Sequence, residues 1–413
     1  MHTIIKLKWV GLFLTIGLLH SCKEDTVICF AHNEPEEHIV HFKSNIIKDK
    51  YIVVFNESQS GLPISRRAGN PEEYRALVRD LSDEILKSYA IEKHPEHIYS
   101  HVITGFSIEM SALQKQALQK DSRVLLIEED QEISLGIMNN RKRPGDGGST
   151  EEPPAVSSQV IPPGIKRVKG GSTPYTGSHI VFILDTGIEL DHPDLNVSTN
   201  KAFTAFTKGK DANFTDYNGH GTHVAGTVGA INNTIGVVGV APGVALVPIK
   251  VLDSRGSGTM SGVIAGVDHV ARVASSGDVA NMSLGGGVST LLDDAVQKLA
   301  STGVKVVIAA GNSGTNAINT SPARVNHPNA YTISAMNSSD VFASFSNYGN
   351  PPIRYCAPGV NIYSTWIGKS YNTISGTSMA APHVAGILLF SSQTDGVVKG
   401  DPDGIPDPIL VVQ

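Results

Sequence analysis

The sequence predicts an α/β protein: a parallel sheet covered by helices on both faces, preceded by a smaller two-layer α+β unit. Three observations carry this expectation. From about Pro162 onward, continuous apolar runs at 180–184, 245–251, 304–309 and 331–334 alternate with helical stretches at 258–274 and 291–302. Such runs fit strands buried on both faces, and their alternation with helices fits a parallel sheet. Residues 49–135 carry a different pattern, in the order β-α-β, then α-β. Between the two lies a stretch, 136–157, with Arg141-Lys142-Arg143-Pro144, Gly145-Asp146-Gly147-Gly148 and Pro153-Pro154, which reads as a linker. At about 150 residues per domain, a 413-residue chain holds two or three such units. The 40% hydrophobic and 17% charged composition supplies a core and excludes a disordered or fibrous chain. A net charge of -6 gives a nucleic-acid partner no electrostatic support. Three cysteines exclude a disulfide framework, and no apolar stretch is long enough to span a bilayer.

In chain order, residues 1–21 read as an export signal. Lys6 and Lys8 precede an apolar run over 9–19, which is too short for a spanning helix. Leu19-His20-Ser21-Cys22 resembles a bacterial lipoprotein cleavage box, although His20 stands where a small residue is usual. The resemblance implies cleavage before Cys22 and its lipidation, the expected membrane attachment; an ordinary signal peptide is the alternative. Cys22-Lys23-Glu24-Asp25 also looks like a charged export tag. Residues 22–48 form a tether, and Cys29 and Cys356 are expected as free thiols. Tyr51-Ile52-Val53-Val54-Phe55 opens the small unit as a strand. Pro71 starts a helix with Tyr74, Leu77, Leu81 and Ile85 on one face. A second strand is expected over 99–110, with Val102, Phe106, Ile108 and Met110 mostly in alternation. Ser111 caps a short helix to Gln119, and 123–127 is a further strand. The large domain is expected over 158–395. A solvated tail is expected over 396–413, where Asp401, Asp403 and Asp407 also have the spacing of a calcium loop.

Three segments carry chemistry. Ile183-Leu184-Asp185-Thr186-Gly187-Ile188 sets an acid directly after a buried strand, at the sheet edge where open α/β folds place ligands. Alone, such an Asp also serves as a cap. In Asn218-Gly219-His220-Gly221-Thr222-His223, glycines flank His220 so that other groups can approach its ring, and Thr222 to Val228 reads as the start of a helix. His220 and His223 lack the Glu and third ligand of a zinc-protease pattern. In Ser375-Gly376-Thr377-Ser378-Met379-Ala380-Ala381-Pro382-His383, Ser378 enters a helix, where a serine is ordinarily a cap. It becomes a nucleophile candidate when a base and an acid occur elsewhere.

Together these segments resemble the subtilisin-like serine proteases, and the wording around His220 and Ser378 is close to the proteinase K-like branch. The resemblance runs from about Ile180 to Gly386. It implies a subtilisin-like fold and peptide-bond hydrolysis through an acyl-enzyme. Ser378 would be the nucleophile, His220 the base and then the acid, and Asp185 the group that fixes the His220 tautomer. Asn312, in Ala309-Ala310-Gly311-Asn312-Ser313-Gly314, matches the family's oxyanion donor. Gly256-Ser257-Gly258 and Ser283-Leu284-Gly285-Gly286 resemble the two segments that clamp a substrate backbone by strand addition. Ala309, Ala310 and Gly311 would line the pocket for the residue before the cut. The absence of Asp and Glu there suggests apolar or aromatic preference. The small unit resembles the family's ferredoxin-like inhibitory propeptide, implying a precursor with its own propeptide as intramolecular inhibitor.

The resemblance requires no cofactor for chemistry but implies a structural calcium held by backbone carbonyls and a carboxylate near Ser344–Gly349. The candidates are Pro328, Ala330 and Asn337, with Asp340 nearby; Asn337 stands at the carboxylate position, and a neutral ligand weakens a hard-cation site. The expected partners are polypeptide substrates, with no nucleic acid, the membrane reached only through Cys22, and a monomeric state. The chain is expected to be exported to the cell envelope or surface, with possible release of the mature domain. An α/β-hydrolase esterase would need Gly-x-Ser-x-Gly and a later acid and His, whereas Ala380 fills the fifth position. The remaining alternative is a catalytically inactive surface lipoprotein that uses the same fold for binding.

Overall fold

The computed structural model describes residues 45–63, 69–135 and 158–413; the export signal, Cys22, Cys29, most of the tether and the linker lie outside the described residues. The first unit contains β1 (Ile46–Phe55), α1 (Pro71–Ser88), β2 (His97–Tyr99), β3 (Gly105–Glu109), α2 (Ala112–Leu118) and β4 (Val124–Ser134). Its strands pair antiparallel in the order β2-β3-β1-β4. The pleat explains why residues 51–55 read as a continuous apolar run. Tyr51, Val53 and Phe55 face the unit's own helices, while Ile52 and Val54 pack into the core of the following domain. Asn70 caps α1 by accepting from the Glu73 N–H, with Pro71 at the first turn, and Ser111 forms a reciprocal capping box with Gln114 on α2.

One expectation here is refined and one is corrected. The buried stripe of α1 is Tyr74, Val78, Ser82, Ile85 and Leu86, with Leu77 and Leu81 half-buried at its margin. Ser82 is accommodated because its hydroxyl donates to the Val78 carbonyl at 2.7 Å. The single strand expected over 99–110 is a hairpin, β2 and β3, interrupted by residues 100–104. The interruption has a partner far away in sequence. The N–H groups of Ser100, His101 and Val102 donate to Asp268 at 3.0, 2.6 and 2.9 Å.

The large domain runs through β5 (Val181–Asp185), β6 (Phe203–Thr204), α3 (His220–Gly229), β7 (Leu246–Lys250), β8 (Ser257–Thr259), α4 (Met260–Val273), β9 (Val279–Met282) and α5 (Thr290–Ser301). It continues with β10 (Lys305–Ala309), β11 (Ala330–Met336), β12 (Ile353–Pro358), β13 (Ile362–Trp366), β14 (Ser370–Ile374), α6 (Thr377–Ile387), β15 (Ser392–Val397) and β16 (Pro408–Val412). Nine strands form one sheet, β6-β7-β5-β9-β10-β11-β12-β16-β15, parallel except for the edge strand β15. Alternate residues of β5 bury on opposite faces: Phe182 and Leu184 pack with α4 and α5, while Val181 and Ile183 pack with α3 and α6. β5 has β7 on one side and β9 on the other, so the strand order reverses there and a crevice opens at its carboxyl end.

Residues 396–413 are not a solvated tail. β16 adds to β12 in parallel, Cys356 opposite Ile409, and Ile409 and Val411 are fully buried beside the buried Cys356. Asp407 is buried as well, and accepts from Ser334 Oγ at 2.5 Å and Asn350 Nδ2 at 2.9 Å. The apolar run 409–411 directs this strand inward, and the Asp- and Pro-rich stretch before it is the turn that brings it back to the sheet.

Candidate active site

Asp185 ends β5 and is completely buried; His220 opens α3. The His220 Nδ1–H donates to the Asp185 carboxylate, 2.8 Å from Oδ1 and 3.0 Å from Oδ2. With its proton held there, the ring presents the Nε2 lone pair away from the acid. The flanking glycines are sterically required. A Cβ on Gly221 would lie 2.1 Å from the Gly187 carbonyl oxygen, and one on Gly219, at φ 110°, would lie 2.3 Å from the Trp366 ring. His223 points elsewhere: its Nε2–H donates to the carbonyls of Ile362 and Asn372, and burial pushes its pKa down to about 3. Among the described residues no group of three or more His, Cys, Asp or Glu side chains is placed to hold a metal ion.

Ser378 is the second residue of α6, so its backbone N–H is among the donors a helix leaves unsatisfied at its start. Its hydroxyl donates to the Ser283 carbonyl at 3.3 Å, and Ser283 Oγ donates to the Ser378 carbonyl at 2.8 Å. Among the described residues no hydrogen bond joins Ser378 to His220, a contact that in such sites often tightens only with substrate bound. Asn312 is oriented by Thr377, whose N–H and hydroxyl both donate to Oδ1, at 2.8 and 2.9 Å. Two donors on one amide atom identify it as the oxygen, which leaves Nδ2 as the donor end.

Asn312, Ser378, Leu284, Gly285 and Ala309 to Gly311 line one cleft, with an empty volume of about 840 Å³, part of it open to solvent. The end of β4 lies in this cleft. Glu132, Ile133 and Ser134 pair antiparallel with Thr259, Gly258 and Ser257 of β8. The Leu135 N–H extends this pairing by donating to the Gly256 carbonyl at 3.2 Å, and on the other side Ser134 exchanges hydrogen bonds with Gly285 at 3.3 and 3.4 Å. The small residues make room: a Cβ on Gly286 would meet Ile133 at 2.6 Å, and one on Gly256 would meet Leu135 at 2.6 Å. The segments expected to clamp a substrate thus hold the chain's own residues 132–135 as a middle strand.

The same unit covers the adjoining helices with carboxylates. Asp130 accepts from Ser261 N–H and Oγ, at 2.9 and 2.5 Å, at the start of α4, and Glu128 accepts from Ser289 Oγ at 2.6 Å at the start of α5. Burial pushes both carboxyls up, while these hydrogen bonds and the positive helix ends act in the opposite direction.

Residues 177–395 match the subtilase family, and residues 50–136 match the peptidase inhibitor I9 family. The chain belongs to the subtilase family. Similar relatives agree along nearly its whole length. The subtilisin-like serine protease AsES of Sarocladium strictum is 35% identical, over 90% of this chain and 91% of the relative. The extracellular serine proteinase of Thermus sp. (strain Rt41A) is 37% identical, over 91% of this chain and 88% of the relative. Alkaline serine exoprotease A of Vibrio alginolyticus is 38% identical over 86% of this chain, which spans 62% of that relative.

One buried acid of this subtilase escaped the sequence reading. Asp216, four residues before His220, accepts five hydrogen bonds, from Thr186, Asn218, Gly219 and both donors of Thr222. An Asp in a polar, glycine-rich stretch reads as a turn residue, and only the convergence of donors from separate segments marks it. Lys250, beside Asp185 in the sheet, is likewise fully buried; its ammonium donates to the Thr186 carbonyl and pairs with Asp211 at 3.2 Å. Two of the candidate calcium ligands, Pro328 and Asn337, and the nearby Asp340 have other partners. The Arg354 guanidinium, stacked over Tyr331, donates to the Pro328 carbonyl. Asn337 Oδ1 accepts from the N–H groups of Ser339 and Val341, Asp340 pairs with Arg167, and Ala330 begins β11.

Proposed function

We propose that this subtilase is a serine endopeptidase that forms an acyl-enzyme and is made as a self-inhibited precursor. Ser378 attacks the scissile carbonyl. His220 Nε2 takes the hydroxyl proton and returns it to the leaving amine, while Asp185 holds the ring and stabilises its charged form. Asn312 Nδ2 and the Ser378 N–H receive the oxygen that becomes negative in the tetrahedral intermediate. The observation that carries the reading is the Asp185–His220 hydrogen bond beside a cleft where Ser378 and Asn312 meet a bound extended peptide, the chain's own residues 132–135. Substrates are polypeptides bound by main-chain pairing, with apolar side chains favoured, in line with Ile133 and Leu135 in the inhibitory strand. The chain is exported, as the name of its extracellular Thermus relative supports, and is anchored through a lipidated Cys22 until it is processed.

Asn312→Ala is expected to fold normally and to lose about 10²–10³ in kcat with little change in KM, the range measured for such a donor in subtilisin. Steady-state kinetics on a peptide substrate checks this; a loss confined to KM would remove Asn312 from the oxyanion site.

The oxygens near Pro328 fit calcium poorly, because a guanidinium already serves one of them and Asn337 brings no charge. Excess chelator is expected to leave the melting temperature unchanged. A fall on chelation, restored by calcium, would show that a site exists after all.

A further inference from the structure

We propose that Asp216 is a positioning residue for the Asp185–His220 pair, a carboxylate clasp joining the strand end that carries the acid to the helix start that carries the base. The proposal rests on the reading of Ser378 and His220 as nucleophile and base.

Asp216 is 3% exposed, and its two oxygens divide the work. Oδ1 accepts from Thr186 Oγ1 at 2.9 Å, Asn218 N–H at 2.8 Å and Gly219 N–H at 3.0 Å. Oδ2 accepts from Thr222 N–H at 3.0 Å and Thr222 Oγ1 at 2.8 Å. Thr186 directly follows Asp185, and its hydroxyl oxygen also accepts from the Gly221 N–H at 3.0 Å. Residues on both sides of His220 are therefore fixed to the residue beside Asp185 through one carboxylate and one hydroxyl. The helix needs this help: α3 has Gly219 at its cap position, which offers no side-chain acceptor, and Asp216 takes the Thr222 donor in its place.

The chemistry selects an acid. All five partners donate, and an ionised carboxylate is an acceptor only, with about four lone-pair sites, so the three donors on Oδ1 share two of them. An asparagine would turn an NH₂ group towards either the Thr222 N–H or the Asn218 and Gly219 N–H groups, so one half of the clasp must open. Asp216 is buried with both oxygens occupied by the chain's own donors, so its effect on the reaction passes through the placement of His220.

The test uses the full chain with two readouts. The first is the low-field proton resonance of His220 Nδ1–H, recorded in the Ser378→Ala chain, which stays whole. The second is the rate at which the chain splits itself, an intramolecular reaction. Asp216→Asn is expected to shift or abolish the resonance and to slow splitting about 10²-fold, the scale of loss from displacing a catalytic group by about 1 Å. In the His220→Ala background the same substitution is expected to add no further slowing, because the clasp acts through His220. Thr222→Val, which removes one hydroxyl donor to Asp216 and with it the acceptor of the Glu189 N–H, serves if Asp216→Asn does not fold, and is expected to give the same changes in smaller measure. An unchanged resonance with splitting at the parental rate overturns the proposal, as does equal slowing with and without His220. A parent chain that shows the resonance but never splits would sink the peptidase reading, while the resonance in Asp216→Asn still decides the role of Asp216.

Discussion

Ser378→Ala is expected to accumulate as one full-length chain in the membrane fraction, while the parent splits in two. Among the described residues the Ser378 hydroxyl makes one hydrogen bond, to the Ser283 carbonyl at 3.3 Å, so its removal costs the fold only about 1 kcal/mol. The chemistry loses its nucleophile, a change on the order of 10⁶ in kcat when the other triad members cannot substitute for it. The inhibitory strand is unaffected, because its contacts are made by backbone groups of β8 and Gly285 and by Asp130 and Glu128. Leu135 and Ser378 line the same cleft, so the parental cut should fall within the first few residues after Leu135, ahead of the Arg141-Lys142-Arg143 run. Gel analysis with N-terminal sequencing reads both results. Cleavage of the mutant at the parental bond would mean that another protease matures the chain.

Asp185→Asn is expected to lose about 10⁴ in kcat with its fold intact and KM little changed. The loss follows from which atom each neighbour requires. The Thr186 N–H donates to Oδ1 at 2.7 Å, and this holds the amide oxygen of an asparagine on that side. The NH₂ group then stands at the Oδ2 position, 3.0 Å from His220 Nδ1, where it favours the tautomer in which that nitrogen accepts, in competition with the Nδ1–H bond to Oδ1 at 2.8 Å. In that tautomer the ring proton is on Nε2, the atom that must take the proton from Ser378. Steady-state kinetics and thermal unfolding on the same sample separate this from a folding defect. An intact kcat with a raised KM would mean that Asp185 serves binding and not the base.

The parts of the site readable in sequence are those whose signal is local. Asp185 ends an apolar strand, His220 stands between glycines that the structure needs, and Ser378 and Asn312 each follow recognisable small-residue stretches. Asp216 was unreadable because its meaning lies in donors from Thr186 and Thr222, brought together only by β5 and α3. The loop after Tyr99 failed for the same reason: its N–H groups are satisfied by Asp268 on α4 and not by a strand partner. The α1 face holds Tyr74 and Ile85, with Leu81 packed against the same core, as its spacing indicates; its centre also takes in Val78 and Ser82, because the Ser82 hydroxyl is satisfied within the helix. At the C-terminus, the Asp-Pro-Asp-Gly stretch outweighed the short apolar strand that follows it.

The most direct test of the peptidase account is mass spectrometry of the processed protein after treatment with a fluorophosphonate probe. The account predicts one covalent adduct per catalytic chain, on the Ser378 hydroxyl, and none in His220→Ala under the same conditions. Processed protein that takes up no probe, or carries it on another serine, would contradict it.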